Sequence, residues 1–503
     1  MKEFQQSLVS AWRDYASGKI DAKTLKGASA GFGIYEQRNG KAMMRVRRVA
    51  GRVSTGDLRA AAAILRRHGG DFAHLTTRQD LQLHGIPAAE VPAALEACEA
   101  AGFRFRGGGG DTFRNTLVSS YSGLFADSVF DVAPYARALS DAFYGFDLAY
   151  SLPRKLKIAF ADRPADAWLA QSNDLGFVAK RTAEGEPVFE TYLAGGIGFK
   201  PRLGLKLFDA LPAAECIRAA MALTALFHDK GCRTNRAHAR IRFLREDFGD
   251  EALVKMLLEY FEAAKKDAPL CSEDDLEDET YAITTFPAAA EPLPGFDTWR
   301  ALAVRPLADG KVGVRIFVPF GTFTADELRA FADTMNGCGA TRFQITSTQD
   351  LLVDLAEEQL AGFYNTLVTA LGARDYTMKS FVGHVTTCVG STICKSGVQD
   401  SPAFGKSLAE ELDARLLPLD TPAKLDATKR ILSQVKICGC PNSCTNPPVA
   451  DFGFVCKKSP AGEPQFVPFT SVQRNPLALG TMKPAEAKSV PDTAAQILAA
   501  CGL

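Results

Sequence analysis

GKAMMRVRRVAGRVSTGDLRA (Gly40–Ala60) and GKVGVRIFVPFGTFTADELRA (Gly310–Ala330) are one segment used twice, 270 positions apart. Held in that register, Gly40–Leu83 aligns with Gly310–Val353 without a gap, and thirteen of the forty-four positions are identical. HLTTRQDLQL (His74–Leu83) falls on QITSTQDLLV (Gln344–Val353), and Gly102 still meets Gly372. An internal repeat of this kind marks a duplicated structural unit. Each copy reads as strand, turn, helix, strand, helix. Met43–Val49 and Val312–Val318 are strand-like and end before a turn glycine. Ser54 and Thr324 are placed to cap the helices that follow. Leu75–Leu83 and Ile345–Asp354 return as strands, and alanine-rich Ala88–Ala101 forms a second helix. The expected unit is a βαβ-type half-domain made twice and packed about a pseudo-two-fold axis, with the functional site at the junction.

The copies diverge where chemistry can sit. DTFRNTLVSS (Asp111–Ser120) faces FVGHVTTCVG (Phe381–Gly390), which sets Val118 opposite Cys388, and Arg78 faces Thr348. One half keeps arginines and the other acquires thiols. Between the copies, an α/β domain is expected, with a strand at Lys155–Phe160, a Gly-rich turn at Gly195–Gly198, a helix around Ala213–Phe227 and a strand near Ala239–Leu244. The acidic run SEDDLEDE (Ser272–Glu279) and the Pro-rich AAAEPLPG read as a solvated linker.

With 503 residues the chain exceeds one core, so several domains are expected. Lys+Arg and Asp+Glu balance at 58 each, so no global basic field points to nucleic acid. No run of eighteen apolar residues occurs, and the first twenty residues hold no apolar h-region; a cytoplasmic protein without a membrane span is expected. Of twelve cysteines, scattered ones such as Cys98, Cys216, Cys232 and Cys338 read as small buried hydrophobes. Five others, Cys388, Cys394, Cys438, Cys440 and Cys444, crowd into 57 residues and indicate a metal or redox centre. Cys388-x5-Cys394 with Cys440-x3-Cys444 is a soft four-thiolate set suited to an iron–sulfur cube. Zinc is the alternative, weakened by the five-residue gap. Spacing alone leaves Cys438-x5-Cys444 open as a pair.

TCVGSTICKSGVQDS followed by GCPNSC resembles the cluster region of the siroheme nitrite and sulfite reductase family. HLTTRQDLQLHGI, GDTFRNTLVSS, SLPRKLKIAF, AGGIGFKPRLG and TNRAHARIRFL resemble further signatures of that family, in its order, from about Gly40 to Phe454. The resemblance implies an α+β fold of pseudo-two-fold duplicated ferredoxin-like half-domains plus two α/β domains that bind siroheme and a 4Fe–4S cluster. It implies a helical arm over 1–36, half-domains over 37–106 and 291–375, a siroheme and substrate domain over 107–290, and a cluster domain over 376–503. It makes Cys388, Cys394, Cys440 and Cys444 the cluster ligands, chooses Cys440 over Cys438, and has Cys444 bridge cluster and siroheme iron.

The resemblance also implies four cations over the siroheme's distal face: Arg78, Arg114, Lys155 and Lys157. The residue chemistry agrees. An anionic substrate and a macrocycle bearing eight carboxylates need fixed positive charge in a partly buried pocket. Guanidinium groups pair with oxyanions, and lysines add point charge and protons. On a strand, Lys155 and Lys157 project to one face. Arg233, Arg236 and Arg240 are candidates for the siroheme carboxylates, with Asn115 and Gly196 also at the cofactor and Gly195 and Gly198 in the bordering turn. His74, His84 and His384 read as structural. Lys157, where ferredoxin-type nitrite reductases tend to carry Asn, favours sulfite. The segment CVGSTICKSGVQDS looks closer to pyridine-nucleotide-dependent nitrite reductases, so nitrite is the alternative substrate. No flavin or nicotinamide module is recognisable, so electrons are expected from a separate ferredoxin or flavoprotein. A non-catalytic zinc or iron–sulfur protein would explain the thiols but not the four cations.

Overall fold

Each copy of the repeat opens on a strand, Ala42–Val46 or Lys311–Ile316, that ends in a 3-10 turn whose middle residue, Ala50 or Phe320, has φ 56°. The computed structural model in which this is seen describes residues 3–276, 286, 291–458, 462, 464–470, 472–474, 477–487 and 489–503. After the turn come a short strand, Arg52–Ser54 or Thr322–Phe323, and a helix, Thr55–Arg67 or Ala325–Gly337. Ser54 and Thr324 cap these helices as expected, each in a reciprocal capping box with Asp57 or Glu327.

The strands expected over Leu75–Leu83 and Ile345–Asp354 are each two antiparallel strands: Phe72–Leu75 with Leu81–Ile86, and Arg342–Ile345 with Leu351–Ala356. TTRQD is the turn between them rather than part of a strand. Thr76 N–H donates to Asp80 O and Gln79 N–H to Thr76 O, both at 2.9 Å, and Gln79 sits at φ 60°. The Thr76 hydroxyl accepts from the Asp80 and Arg78 amides, so polar side chains satisfy the turn locally. Thr346–Asp350 repeats the same bonds, with Gln349 at φ 70°. Each half-domain is thus a split βαβ: Ala42–Val46 and Phe72–Leu75 both run antiparallel to Leu81–Ile86, which lies between them, and so run parallel to each other, with the helix as their connection; Lys311–Ile316 and Arg342–Ile345 do the same about Leu351–Ala356.

Each half lends a strand to the other. Thr322–Phe323 pairs with Phe72–Leu75, and Arg52–Ser54 pairs with Arg342–Ile345, completing two five-stranded sheets. The two capped helices lie against each other, joined by Thr55 to Asn336 at 2.9 Å and by Arg59 to Asp333. Helix Glu3–Ala16 adds Leu8 and Trp12 to the shared core.

The duplication extends beyond the segment visible in the sequence. Strands Leu117–Val118, Ile158–Ala161 and Leu175–Arg181 run parallel and Pro187–Leu193 returns antiparallel. Thr386–Thr387, Val435–Cys438, Phe452–Lys458 and Pro464–Pro468 have the same order and directions. The last three strands superpose in register at an offset of 277, which brings DLGFV (Asp174–Val178) onto DFGFV (Asp451–Val455). The region between the half-domains is thus a copy of the terminal one, not an unrelated insertion.

The helix expected around Ala213–Phe227 spans Cys216–Lys230. The strand expected near Ala239–Leu244 is a 3-10 turn, Ile241–Phe243, running into helix Leu244–Phe248. Alternation misled there, because Arg240 and Arg242 are buried along with Ile241 and Phe243. Glu273–Leu276 of the acidic run is helical; 277–279, and 288–290 of the Pro-rich stretch, lie outside the described residues. No helix among the described residues is long and apolar enough to cross a membrane.

The Ser54 hydroxyl accepts the Asp57 amide at 3.1 Å, so Ser54→Ala is expected to cost about 1 kcal/mol of stability, measured by chemical denaturation.

Candidate functional site

Arg78, Lys157 and Cys444 line one cavity, together with Thr77, Asn173 and Ile197. The TTRQD turn brings Arg78 there. Its Nη2 donates to Asn173 Oδ1 at 2.6 Å and its Nη1 to Asn115 O at 3.2 Å. Asn115 Nδ2 in turn donates to Arg78 O at 3.0 Å and Arg48 O at 2.8 Å, pinning the turn. Next door, the Thr77 hydroxyl donates to Cys444 O at 2.7 Å, which ties the first half-domain to the cysteine loop.

Lys155 and Lys157 flank Leu156, which bridges Phe113 just before the strand Ile158–Ala161 begins. Neither lysine is itself in the strand, and of the two only Lys157 lines the cavity. Burial, then the charge of Arg240, brings Lys155 down to about 7, while the nearby Cys444 acts in the opposite direction. Burial, then Arg78 and Lys155, holds Lys157 well below the ordinary lysine value. Arg114 shares this field but is turned into its own loop, donating to Gly109 O, Thr112 O and Gly110 O at 2.6–2.9 Å. It does not line the cavity.

Two residues absent from the expected set organise the site. Asp174, fully buried, accepts from Arg240 Nη2 through both oxygens at 2.8 Å and from the Lys157 amide at 2.8 Å. Arg242, also buried, donates from Nη2 to Phe199 O, while its Nε and Nη1 have no partner. Gly196 lies beside it: a Cβ there would stand 3.0 Å from Arg242 Nη1, and one at Gly198 would meet Arg242 and Asn442 O. The glycine turn therefore separates a buried cation from the cysteine loop by very little. Arg233 and Arg236 stand farther out. Arg233 donates to Ser151 O and His228 O, and exposed Arg236 forms a two-pronged pair with Asp111 at 2.9 and 3.0 Å.

The thiols converge. Cys440 is raised to about 12 by burial first, then by Cys444, Cys388 and Cys394. Burial and the charges of Cys388 and Cys394 also raise Cys444, against Lys155 and Lys157. Cys388 is held down to about 6, chiefly by a hydrogen bond from Cys438, then by the Gly439 amide at 3.3 Å and Ser401. His74 and His84 are buried in the first half-domain, held neutral by burial and bonded to Gln349 and to Gln82 and Gln37; His384 pairs with Asp375.

Two cofactor types fit these residues. Cys440 and Cys444, raised by burial and by the charge of neighbouring thiols, are relieved by a cationic cluster core, which takes its ligands as thiolates. The unpartnered N–H groups of Arg242 and the unpartnered Arg240 Nε are buried donors that the carboxylates of a macrocycle would satisfy. Among the described residues, no group of three or more His, Cys, Asp or Glu could hold a single metal ion.

A duplicated α+β scaffold with thiols facing buried cations defines a cofactor-bearing oxidoreductase. The family model for the nitrite/sulfite reductase ferredoxin-like half domain matches residues 35–101, and that for the nitrite and sulphite reductase 4Fe-4S domain matches 109–265. The first match covers Arg78 and the second Arg114, Lys155 and Lys157, and neither reaches the five clustered cysteines. A sulfite reductase [ferredoxin] from Mycolicibacterium paratuberculosis is 27% identical over 90% of this chain and 79% of its own. A ferredoxin–nitrite reductase from Synechococcus elongatus is 28% identical over 83% and 77%. The solved NirA structure from Mycobacterium tuberculosis shares the fold, with a TM-score of 0.77 at 24% identity over 99% of this chain and 90% of that one. The chain is thus similar, over most of its length, to the nitrite and sulfite reductases, and siroheme with a 4Fe–4S cluster takes the place of the zinc alternative.

Because Lys155 titrates near 7 when folded and near 10.5 when unfolded, its charge opposes folding fully below pH 7 and not at all above pH 10.5. Lys155→Met is therefore expected to stabilise the cofactor-free chain at neutral pH, by an amount that shrinks as pH rises through that window, read by denaturant unfolding at several pH values.

Proposed function

We propose that this protein reduces sulfite to sulfide, a six-electron reaction, in the cavity shared by Arg78, Lys157 and Cys444. The observation that carries the reading is that shared lining: two of the four cations, Arg78 and Lys157, and Cys444 border the same small space. Cys388, Cys394, Cys440 and Cys444 are assigned as cluster ligands, with Cys444 also facing the siroheme. Arg242 and Arg240, with the Gly196 turn and Asn115, are assigned to the siroheme carboxylates, with Arg233 and Arg236 farther out as further candidates. When bound, siroheme coupled to the cluster supplies an iron centre that accepts the substrate and delivers electrons to it one after another.

The chain's own side chains bind and protonate. Arg78, its guanidinium fixed by Asn173 and the Asn115 carbonyl, orients an oxyanion through paired N–H groups. Lys157 adds a point charge from the same wall. Each oxygen leaving as water takes two protons, and Lys155, brought to about 7, can give and regain one near neutral pH. An arriving anion raises that value and favours the charged, donating form. Arg114 acts on the pocket through its field and through the loop it braces.

Lys157 supports sulfite over nitrite. The nitrite reading keeps its footing because relatives named for nitrite match as well as those named for sulfite. We assign the electron supply to an external carrier, a ferredoxin of the kind those relatives are named for or a flavoprotein, and place the protein in the cytoplasm, where its thiols stay reduced.

With reduced viologen as donor, purified holoprotein showing siroheme absorption is expected to turn sulfite into sulfide faster than nitrite into ammonium; the reverse order would make nitrite the substrate. Lys157→Asn is expected to shift the ratio of kcat/KM values toward nitrite, and an unchanged ratio would remove the basis for the preference. Cys440→Ser is expected to abolish cluster absorption, whereas Cys438→Ser retains it.

A further inference from the structure

We propose that Cys388 and Cys438 are a reversible thiol pair: in the cluster-free chain they close into a disulfide that withholds Cys388 until it is reduced. Cys438 is the fifth thiol of the crowd, with no part in the cluster assigned above.

Backbone geometry carries the inference. Thr386 pairs with Lys436 and Thr387 with Ile437 in a parallel ladder, which the Cys388 amide closes by donating to Ile437 O at 3.2 Å, so that Cys388 and Cys438 leave the last pair side by side. They are therefore the next neighbours in register. Neighbouring parallel strands lie about 4.8 Å apart, within the roughly 4.4–6.8 Å Cα separation a disulfide accepts. Neighbours in register present their side chains on one face, which puts both sulfurs on the same side of the ladder. Both sulfurs are also held in place. The Cys388 Sγ lies 3.0 Å from Ser401 Oγ and accepts the Gly439 amide. The Cys438 Sγ lies 2.9 Å from Thr445 Oγ1 and accepts the Thr445 amide at 3.1 Å. The two thiols are near enough to act on each other's charge. Neither Cys394, Cys440 nor Cys444 shares a ladder position with Cys388.

The oxidant is a low-molecular-weight disulfide. The Cys388 thiolate attacks one of its sulfurs, breaking that S–S bond and expelling one small thiolate. Cys438 then loses its proton and displaces the second small thiolate from Cys388, closing the protein disulfide. Two protein thiols lose two electrons, the small disulfide gains two, and the released protons convert its halves to thiols. The bridge shields Cys388 from oxidation beyond the disulfide level while no cluster covers it. Its effect on assembly rests on the reading of Cys388 as a cluster ligand; the bridge itself does not.

The test uses the full cluster-free chain, treated with oxidised glutathione and mapped by proteolysis and mass spectrometry without reductant. A peptide pair joined through Cys388 and Cys438, lighter by two hydrogens, is expected, and Cys440→Ser is expected to retain it. A map showing only other bridges, such as one between the neighbouring thiols Cys216 and Cys271, would overturn the proposal. In a second arm, a preformed thiolate-ligated 4Fe–4S complex donates its cluster, so that free sulfide does not reduce the bridge. The oxidised chain is expected to accept the cluster only after dithiothreitol and to carry no glutathione on Cys388, whereas Cys438→Ser, which cannot displace the second small thiolate, is expected to hold one glutathione there and to accept the cluster once dithiothreitol removes it. If the bridge forms but Cys438→Ser accepts no cluster under either condition while Cys440→Ser does, the ligand assignment fails and the bridge stands.

Discussion

Buried positive charge is the constraint around which this molecule is arranged. Arg78, Arg114, Lys155, Lys157, Arg240 and Arg242 are drawn out of water in one region, and the fully buried carboxylate among them is Asp174. An uncompensated buried charge costs several kcal/mol. Asp174 meets part of that cost by taking Arg240 on both oxygens and fixing the Lys157 amide. The remainder is left as affinity for anions, and a carboxylate-rich macrocycle and an oxyanion are the species able to relieve it.

The two halves reach opposite chemistry from one plan. The turns Thr76–Asp80 and Thr346–Asp350 make the same hydrogen bonds, yet one presents Arg78 and the other Thr348, whose hydroxyl is spent on Asp350. Asp174 and Asp451 occupy equivalent positions ahead of equivalent strands and each holds an arginine, Arg240 or Arg430. Duplication supplied two copies of a scaffold; a few side chains made one a cation wall and the other a thiol basket.

The repeat, its helix caps and the clustered cysteines were legible because each is a short-range pattern. The hairpin at TTRQD was not: a turn satisfied by its own threonine and flanked by apolar residues looks like one continuous strand. The second duplication escaped because its offset is 277 rather than 270, although DLGFV and DFGFV were there to be found. Asp174 and Arg242 were invisible for a different reason. Their roles come from burial and from partners 66 and 43 positions away, which no local pattern encodes. Arg233 and Arg236, which stand out in the sequence, bond in the fold to Ser151, His228 and Asp111.

The exchanged strands bear on how such a chain is made. The sheet that contains Phe72–Leu75 acquires its fifth member only when Thr322–Phe323 has been synthesised. Until then a nascent chain carries an open β edge beside a forming apolar core, the kind of surface that invites pairing with a neighbour. Ribosomal synthesis therefore completes the first half-domain only after the whole cation wall has emerged, and the cysteine basket follows last of all, onto a scaffold already closed.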